Sequence, residues 1–280
     1  MIPPIASRFV AGETPPEALD HARRVNEDGV KVILNLLGEH YDERPPADAD
    51  TATYLQLVRD IEGSGLDACI SVKPSQIGLD VGEGAFEENY RRIVKEADDH
   101  GVFVWCDMED HETTDATLDA FEACAEEFEG DVGLCVQANL HRTREDLERL
   151  ADVPGKVRLV KGAYDEPKSI SYKDKAEVNE AYREDLEFMF ARFDDGEVAV
   201  GSHDPAMIDY AKELHEEYGT GYEVQMLMGV REDAQRDLVA EGVDVWQYAP
   251  YGPKWASYFY RRVRERKENL LFAARAVLGR

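Results

Sequence analysis

Val102-Phe103-Val104-Trp105-Cys106-Asp107 is followed by an amphipathic run over 114–126, and that by Gly133-Leu134-Cys135-Val136-Gln137-Ala138. The two short runs are apolar and bounded by polar or Gly residues, as strands buried on both faces of a parallel sheet are. The segment between them has helical spacing. The same alternation extends in both directions. Apolar runs recur at 32–37, 68–73, 157–161, 198–203, 224–228 and 243–248, and helical spacing at 86–97, 178–193 and 205–215. Asp204-Pro205 places a capping acid before a Pro in the first helical turn. Eight such strands alternating with helices predict an α/β protein built as a (β/α)8 TIM-type barrel. An extra N-terminal helix over 15–27 and a long last helix over 255–278 complete it, and 1–280 reads as a single domain. A doubly wound open sheet is the other arrangement, but it would usually use fewer strands for this length. The one loose stretch, 42–50 with Pro45 and Pro46, reads as a loop.

Hydrophobic residues make up 43% of the 280, enough for a core and too many for wholesale disorder. Lys and Arg number 32 against 59 Asp and Glu, a formal net charge of -27. That excess excludes general nucleic-acid binding, which needs a positive face. It argues equally against electrostatic docking on an anionic membrane. Because the acid is spread along the chain, it reads as a hydrated surface of the halophilic type. An ordinary acidic cytosolic enzyme is the plainer alternative. Cys69, Cys106, Cys124 and Cys135 form no CxxC pair, and three of them sit in apolar runs, as small buried hydrophobes do. With no signal peptide or long apolar run, a reducing cytoplasm is the expected location.

Active sites of such barrels lie at the C-terminal ends of the strands. Polar residues stand at those ends: Glu39, Lys73, Asp107, Gln137, Asn139, Arg158, Lys161, Tyr164, Ser202, His203, Gln225 and Tyr248. Strand ends face solvent and are commonly polar, so any one of these is weak. Lys73 and Asp107 stand out because each ends an apolar run, where an ionisable group is costly unless paired or functional. Glu109-Asp110 reads as solvated loop. His111 and His203 lack partners at metal spacing, so no metal is expected. GxGxxG, GxxxxGK[ST], HExxH and GxSxG are absent. Near the C-terminus, Tyr258 precedes Arg261 and Arg262 by one helical turn, and Glu265 follows them by one. Two Arg forks can grip one small anion. A solvated basic patch is the bland reading of the same residues.

Val157-Arg158-Leu159-Val160-Lys161-Gly162-Ala163-Tyr164 resembles the RLVKGAY signature of the FAD-dependent proline dehydrogenases. Tyr258 to Arg262 with Glu265 resembles that family's Y-x-x-R-R-x-x-E helix. Leu37-Gly38-Glu39, Ser71-Val72-Lys73, Asp107-Met108-Glu109, Gln137-Ala138 and Gln225-Met226-Leu227 match in order. The resemblance runs from Phe9-Val10-Ala11-Gly12-Glu13 to the last helix. It implies a distorted (β/α)8 barrel of the short, monofunctional form, with non-covalent FAD at the strand ends. It implies oxidation of L-proline to Δ1-pyrroline-5-carboxylate, the first step of proline catabolism, with electrons passed to a quinone.

The resemblance assigns Arg261, Arg262 and Lys73 to the proline carboxylate, with Asp107 and Glu265 holding those cations. Tyr164, Leu227, Tyr248 and Tyr258 would enclose the ring and exclude water. For the cofactor, Arg158 would lie near flavin N5, Gln137 at the pyrimidine edge, Val160, Lys161, Gly162 and Ala163 along it, and His203 near its phosphate or adenine end. Tyr248 would favour proline over hydroxyproline. Asp165-Glu166-Pro167 departs from the family's pattern without touching a motif. The expected enzyme is cytoplasmic, binds no nucleic acid, has no stable membrane insertion and meets the inner face of the membrane transiently. The competing readings are a lyase using Lys161 or Lys73 as a Schiff base, and a non-catalytic proline-binding barrel.

Overall fold

Strands β1 (Lys31–Leu36), β2 (Ala68–Val72), β3 (Val104–Cys106), β4 (Val132–Gln137), β5 (Lys156–Val160), β6 (Val198–Gly201), β7 (Tyr222–Leu227) and β8 (Asp244–Tyr251) pair in parallel and in chain order. In this computed structural model, which describes residues 2, 6–256 and 258–260, β8 pairs back onto β1 from Lys31↔Trp246 to Leu36↔Tyr251 and closes the barrel. Helix α1 (Pro15–Asn26) precedes β1. Helices α2 (Arg44–Ser64), α3 (Glu83–His100), α4 (Thr114–Glu127), α5 (Thr143–Leu150), α6 (Lys175–Arg192), α7 (Pro205–Tyr218) and α8 (Glu232–Ala240) each link one strand to the next.

Strand residues alternate between two buried environments, which is why the runs read as continuously apolar. Val32, Leu34 and Leu36 join the large cluster that also holds Tyr54, Leu57, Val58 and Ile61 of α2. Ile33, Cys69, Trp105 and Ala199 form a separate cluster, with Phe103, Trp246 and Tyr248 packed against it. This second set fills the barrel, so the barrel is a packed core rather than a pore. All four cysteines are buried and free.

Small residues on β4 and β6 let large side chains on β3 and β5 cross the interior. A Cβ at Gly133 would stand 2.5 Å from the Trp105 ring, and one at Gly201 would stand 2.6 Å from Val160 Cγ1 and 3.2 Å from Arg158 Cγ. The Arg158 guanidinium lies 4.9 Å from the Trp105 ring centroid, a cation–π contact inside the barrel.

The stretch 42–50 is a correction to the sequence reading. It enters α2 at Arg44, with Pro45 and Pro46 in its first turn. Proline lacks only an N–H that the first turn leaves unbonded, and its fixed φ suits that turn. Gly65, at φ 65, ends the helix in the left-handed conformation. Asp204 caps α7 as expected, accepting from the Ala206 N–H at 3.1 Å. Helical backbone begins again at Trp255. The remainder of the helix expected over 255–278 lies outside the described residues.

Gly133→Ala forces a methyl into the Trp105 ring and is expected to cost about 1–3 kcal/mol by overpacking. A denaturant titration reads this as a lower midpoint, and Trp105→Leu in the same chain should recover most of it.

Candidate active site

Asp107 follows β3 and is 7% exposed. Its Oδ1 accepts from Arg158 Nη2 at 2.5 Å and from Ser71 Oγ at 2.7 Å. Its Oδ2 accepts from the Tyr248 hydroxyl at 2.6 Å, and Lys73 Nζ stands 3.7 Å away. Residues from within β5 and β8 and from the ends of β2 and β3 therefore meet on one carboxylate. Burial pushes this carboxyl up, but Arg158 and Lys73, with the two hydroxyls, pull it further down, and it rests below its ordinary value.

Lys73 shows the mirror image. Its burial favours the neutral amine, but Asp107, Tyr164, Glu109 and Glu39 favour the cation, and the balance is upward. Lys73 is thus a fixed positive charge at neutral pH. Tyr164, half-buried in the loop after β5, is pushed up to about 12 by burial, with Glu109 and Asp107 adding to it against Lys73. Burial also drives the Tyr248 phenol far up, and Asp107 adds to that. Both tyrosines are hydrogen-bond donors at neutral pH rather than bases.

Glu109 corrects the sequence reading. It is 1% exposed rather than solvated. Its carboxylate accepts from the Ser75 N–H at 2.7 Å and the Ser75 hydroxyl at 2.9 Å, which ties the loop after Lys73 to the loop after Asp107. Burial raises its carboxyl, opposed by Lys73 and the Ser75 donors. The carbonyl of Glu109 accepts from Gln137 Nε2 at 2.8 Å. Sequence reading placed Glu109 in an Asp-Met-Glu motif but did not give it a role. Its neighbour Asp110, by contrast, caps the 3-10 turn His111–Thr113.

Of the residues expected to hold a cofactor, Arg158 belongs to this cluster, and the others end or follow β4, β5 and β6. Gln137 ends β4 and is buried, and Arg158 is 4% exposed. The carbonyls of Val160 and Lys161 accept from the Ala138 and Asn139 N–H groups at 2.8 and 3.0 Å. Gly162, at φ 100, could not carry a side chain, because its Cβ would meet Asn139 Oδ1 at 2.0 Å. Ala163 is exposed. Lys161 donates to Asn179 Oδ1 at 2.6 Å and Asp204 Oδ2 at 2.7 Å, so it sits at the mouth rather than with Lys73. His203 Nε2 accepts from the Leu227 N–H at 2.8 Å, which binds the ends of β6 and β7 together. Among the described residues, Asn139 Oδ1 is a buried acceptor with no partner.

Leu227 ends β7 and is half-buried. Tyr258 packs with Phe9, Val10 and Leu37 in a small apolar cluster. Arg261, Arg262 and Glu265 lie outside the described residues. Ser71, Ser75, Glu109 and Gln225 are partners that sequence reading left without roles. For Ser71, Glu109 and Gln225 the available signal was their place in the ordered strand-end motifs. Among the described residues, no cluster of three or more His, Cys, Asp or Glu is arranged to hold a metal.

The profile of the family described as proline dehydrogenase matches residues 18–275. The chain is 36% identical to the proline dehydrogenase of Deinococcus radiodurans over 282 residues, covering 98% of this chain and 90% of that one. It is 32% identical to proline dehydrogenase 2 of Bacillus subtilis over 275 residues, covering 97% and 90%. In fold it is similar to proline utilization A from Bdellovibrio bacteriovorus, inactivated by N-propargylglycine, at a TM-score of 0.84 and 23% identity. That match covers 92% of this chain and 32% of the larger one.

Asp107→Asn leaves the buried Arg158 and the half-buried Lys73 without their carboxylate and is expected to cost about 3–5 kcal/mol of stability. Because Asp107 titrates below its unfolded value of about 3.9, its contribution is present above that value. It is lost as pH falls through the carboxylate range. Unfolding measured against pH should show the parent and variant far apart at neutral pH and converging in acid.

Proposed function

The chain belongs to the proline dehydrogenase family, and on that premise we propose that it oxidises L-proline to Δ1-pyrroline-5-carboxylate with non-covalent FAD as the immediate acceptor. That it is an oxidoreductase acting on proline follows from the family and its curated relatives. The observation that carries the finer reading is the convergence of Lys73, Arg158, Tyr248 and Ser71 on Asp107. Such a cluster holds cations rigidly in a site that must take a zwitterionic substrate out of water.

In this reading Lys73, with Arg261 and Arg262, binds the proline carboxylate. Asp107 and Glu265 keep those cations in place. Tyr164, Leu227, Tyr248 and Tyr258 wall the ring and exclude water, so positioning supplies much of the rate. Lys73, Tyr164 and Tyr248 hold their own protons at neutral pH and so do not accept the amine proton. Turnover is expected to rise with pH as the substrate amine deprotonates.

Gln137, Arg158, Val160, Lys161, Gly162, Ala163 and His203 would hold the cofactor, which supplies a two-electron acceptor when bound. Their chemistry fits such a group. Asn139 Oδ1 is an acceptor that lacks a donor, and Arg158 is a permanent positive charge that would stabilise the negative charge of a reduced flavin bound beside it. The lyase alternative fares worse, because a Schiff-base lysine needs a lowered pKa and that of Lys73 is raised. Lys161 is likewise engaged by Asp204.

Further proposals extend this one. The barrel is one catalytic domain over 1–280, and a quinone takes the electrons onward. No helix among the described residues is long and apolar enough to cross a membrane. We place the enzyme in the cytoplasm with transient contact at the membrane. The net charge of -27 fits a protein adapted to high salt, and screening its self-repulsion should raise its unfolding temperature as KCl is added.

The test is a visible spectrum of protein purified in high salt, before and after anaerobic L-proline. A flavin band that bleaches supports cofactor, substrate and direction together. Protein that takes up no FAD on refolding would remove the cofactor proposal. Tyr248→Ser should weaken proline turnover and raise the hydroxyproline-to-proline ratio of kcat/KM. An unchanged ratio would show that Tyr248 does not set ring specificity.

A further inference from the structure

Below the Asp107 cluster, a column of alternating charge runs down the barrel to its other mouth. Lys156 opens β5 there, 31% exposed, and donates to Glu223 Oε2 at 2.6 Å. Glu223, on β7, is 3% exposed, and its Oε1 accepts from Gln225 Nε2 at 2.6 Å. Gln225 Oε1 accepts from Arg158 Nη1 at 2.8 Å, and Arg158 Nη2 reaches Asp107. Arg158 on β5 reaches Gln225 on β7 across β6, whose residues in register are Ala199 and Gly201. A longer side chain at Gly201 would collide with Arg158 and Val160.

The direction of every bond in this column is fixed. An ionised carboxylate only accepts, and a guanidinium only donates. Between them the Gln225 amide has one workable orientation, NH2 toward Glu223 and oxygen toward Arg158. Glu223 thus differs from a mouth ion pair: one oxygen serves Lys156 and the other turns inward to the amide.

We propose that Glu223 is a positioning residue for Arg158, locking the Gln225 amide so that the guanidinium is held between Gln225 and Asp107 in the orientation it presents to the cofactor. This rests on the reading that Arg158 faces bound flavin. Replacing Glu223 by Gln offers Gln225 both a donor and an acceptor. The amide can then turn its NH2 toward Arg158, and the fork loses its anchor on Gln225.

The experiment compares holoenzyme carrying Glu223→Gln, Gln225→Met, Lys156→Met or Arg158→Met, by flavin midpoint potential, kcat, KM and thermal midpoint. Glu223→Gln and Gln225→Met should lower the potential in the direction of Arg158→Met. They should cut kcat about tenfold, the loss of one hydrogen bond to a charged group, with KM changed less than twofold. Lys156→Met should lower the thermal midpoint but keep the parent's potential and kcat. If Glu223→Gln lowers only the thermal midpoint, Glu223 is merely structural and the proposal fails. It fails equally if Lys156→Met reproduces the shift in potential, since the mouth charge would then be the cause. Should Glu223→Gln not fold, Gln225→Met decides alone, and the parent's potential and kcat in that variant overturn the proposal. Arg158→Met with an unchanged flavin potential removes the reading beneath the proposal and the proposal with it. A shift there beside a silent Glu223→Gln and Gln225→Met sinks the proposal alone.

Discussion

A carboxylate taken out of water is costly unless cations and hydroxyls replace the lost solvation. Asp107 meets that constraint with Arg158, Lys73, Ser71 and Tyr248, which come from β5, the end of β2, β2 and β8. Strands on opposite sides of a closed barrel are thereby held to one point. The arrangement also fixes protonation. Lys73 stays charged because Asp107 is charged, and Tyr248 keeps its proton because it is buried and the Asp107 charge beside it disfavours a phenolate.

The interior has to make room for this. Large side chains on β3, β5 and β7 cross where β4 and β6 present little bulk, at Gly133, Ala199 and Gly201. Arg158 is the longest of these bridges, spanning from Asp107 to Gln225 and resting on the Trp105 ring. A packed aromatic layer thus lies alongside the polar column and limits where the guanidinium can go.

The charge of the chain is divided by location. Outside, Arg side chains meet excess acid in exposed pairs such as Arg91–Glu127 and Arg149–Asp119, which each contribute little and weaken with salt. Inside, cations and carboxylates are matched one against another within a few ångströms and are much less screened. An acidic exterior and a cation-bearing site can therefore coexist in one small protein.

The barrel was legible in the sequence because its signal is local. Apolar runs near 68–73 and 133–138 became β2 (Ala68–Val72) and β4 (Val132–Gln137), within a residue or so of their expected ends. Lys73 and Asp107 were legible because a charge at the end of an apolar run is costly wherever the chain goes. The substrate and cofactor roles came from motif resemblance rather than from pattern. Folding decided what depends on distant partners. Glu109 is buried because Ser75 comes to it from 34 residues away, and Glu109-Asp110 in isolation looks solvated. Pro45 and Pro46 start a helix because only their place in its first turn makes a missing N–H harmless. The links from Arg158 to Asp107 and Gln225 span 51 and 67 residues. Such contacts leave no periodic trace, since barrel closure and the small residues of β6, not chain neighbours, bring them together.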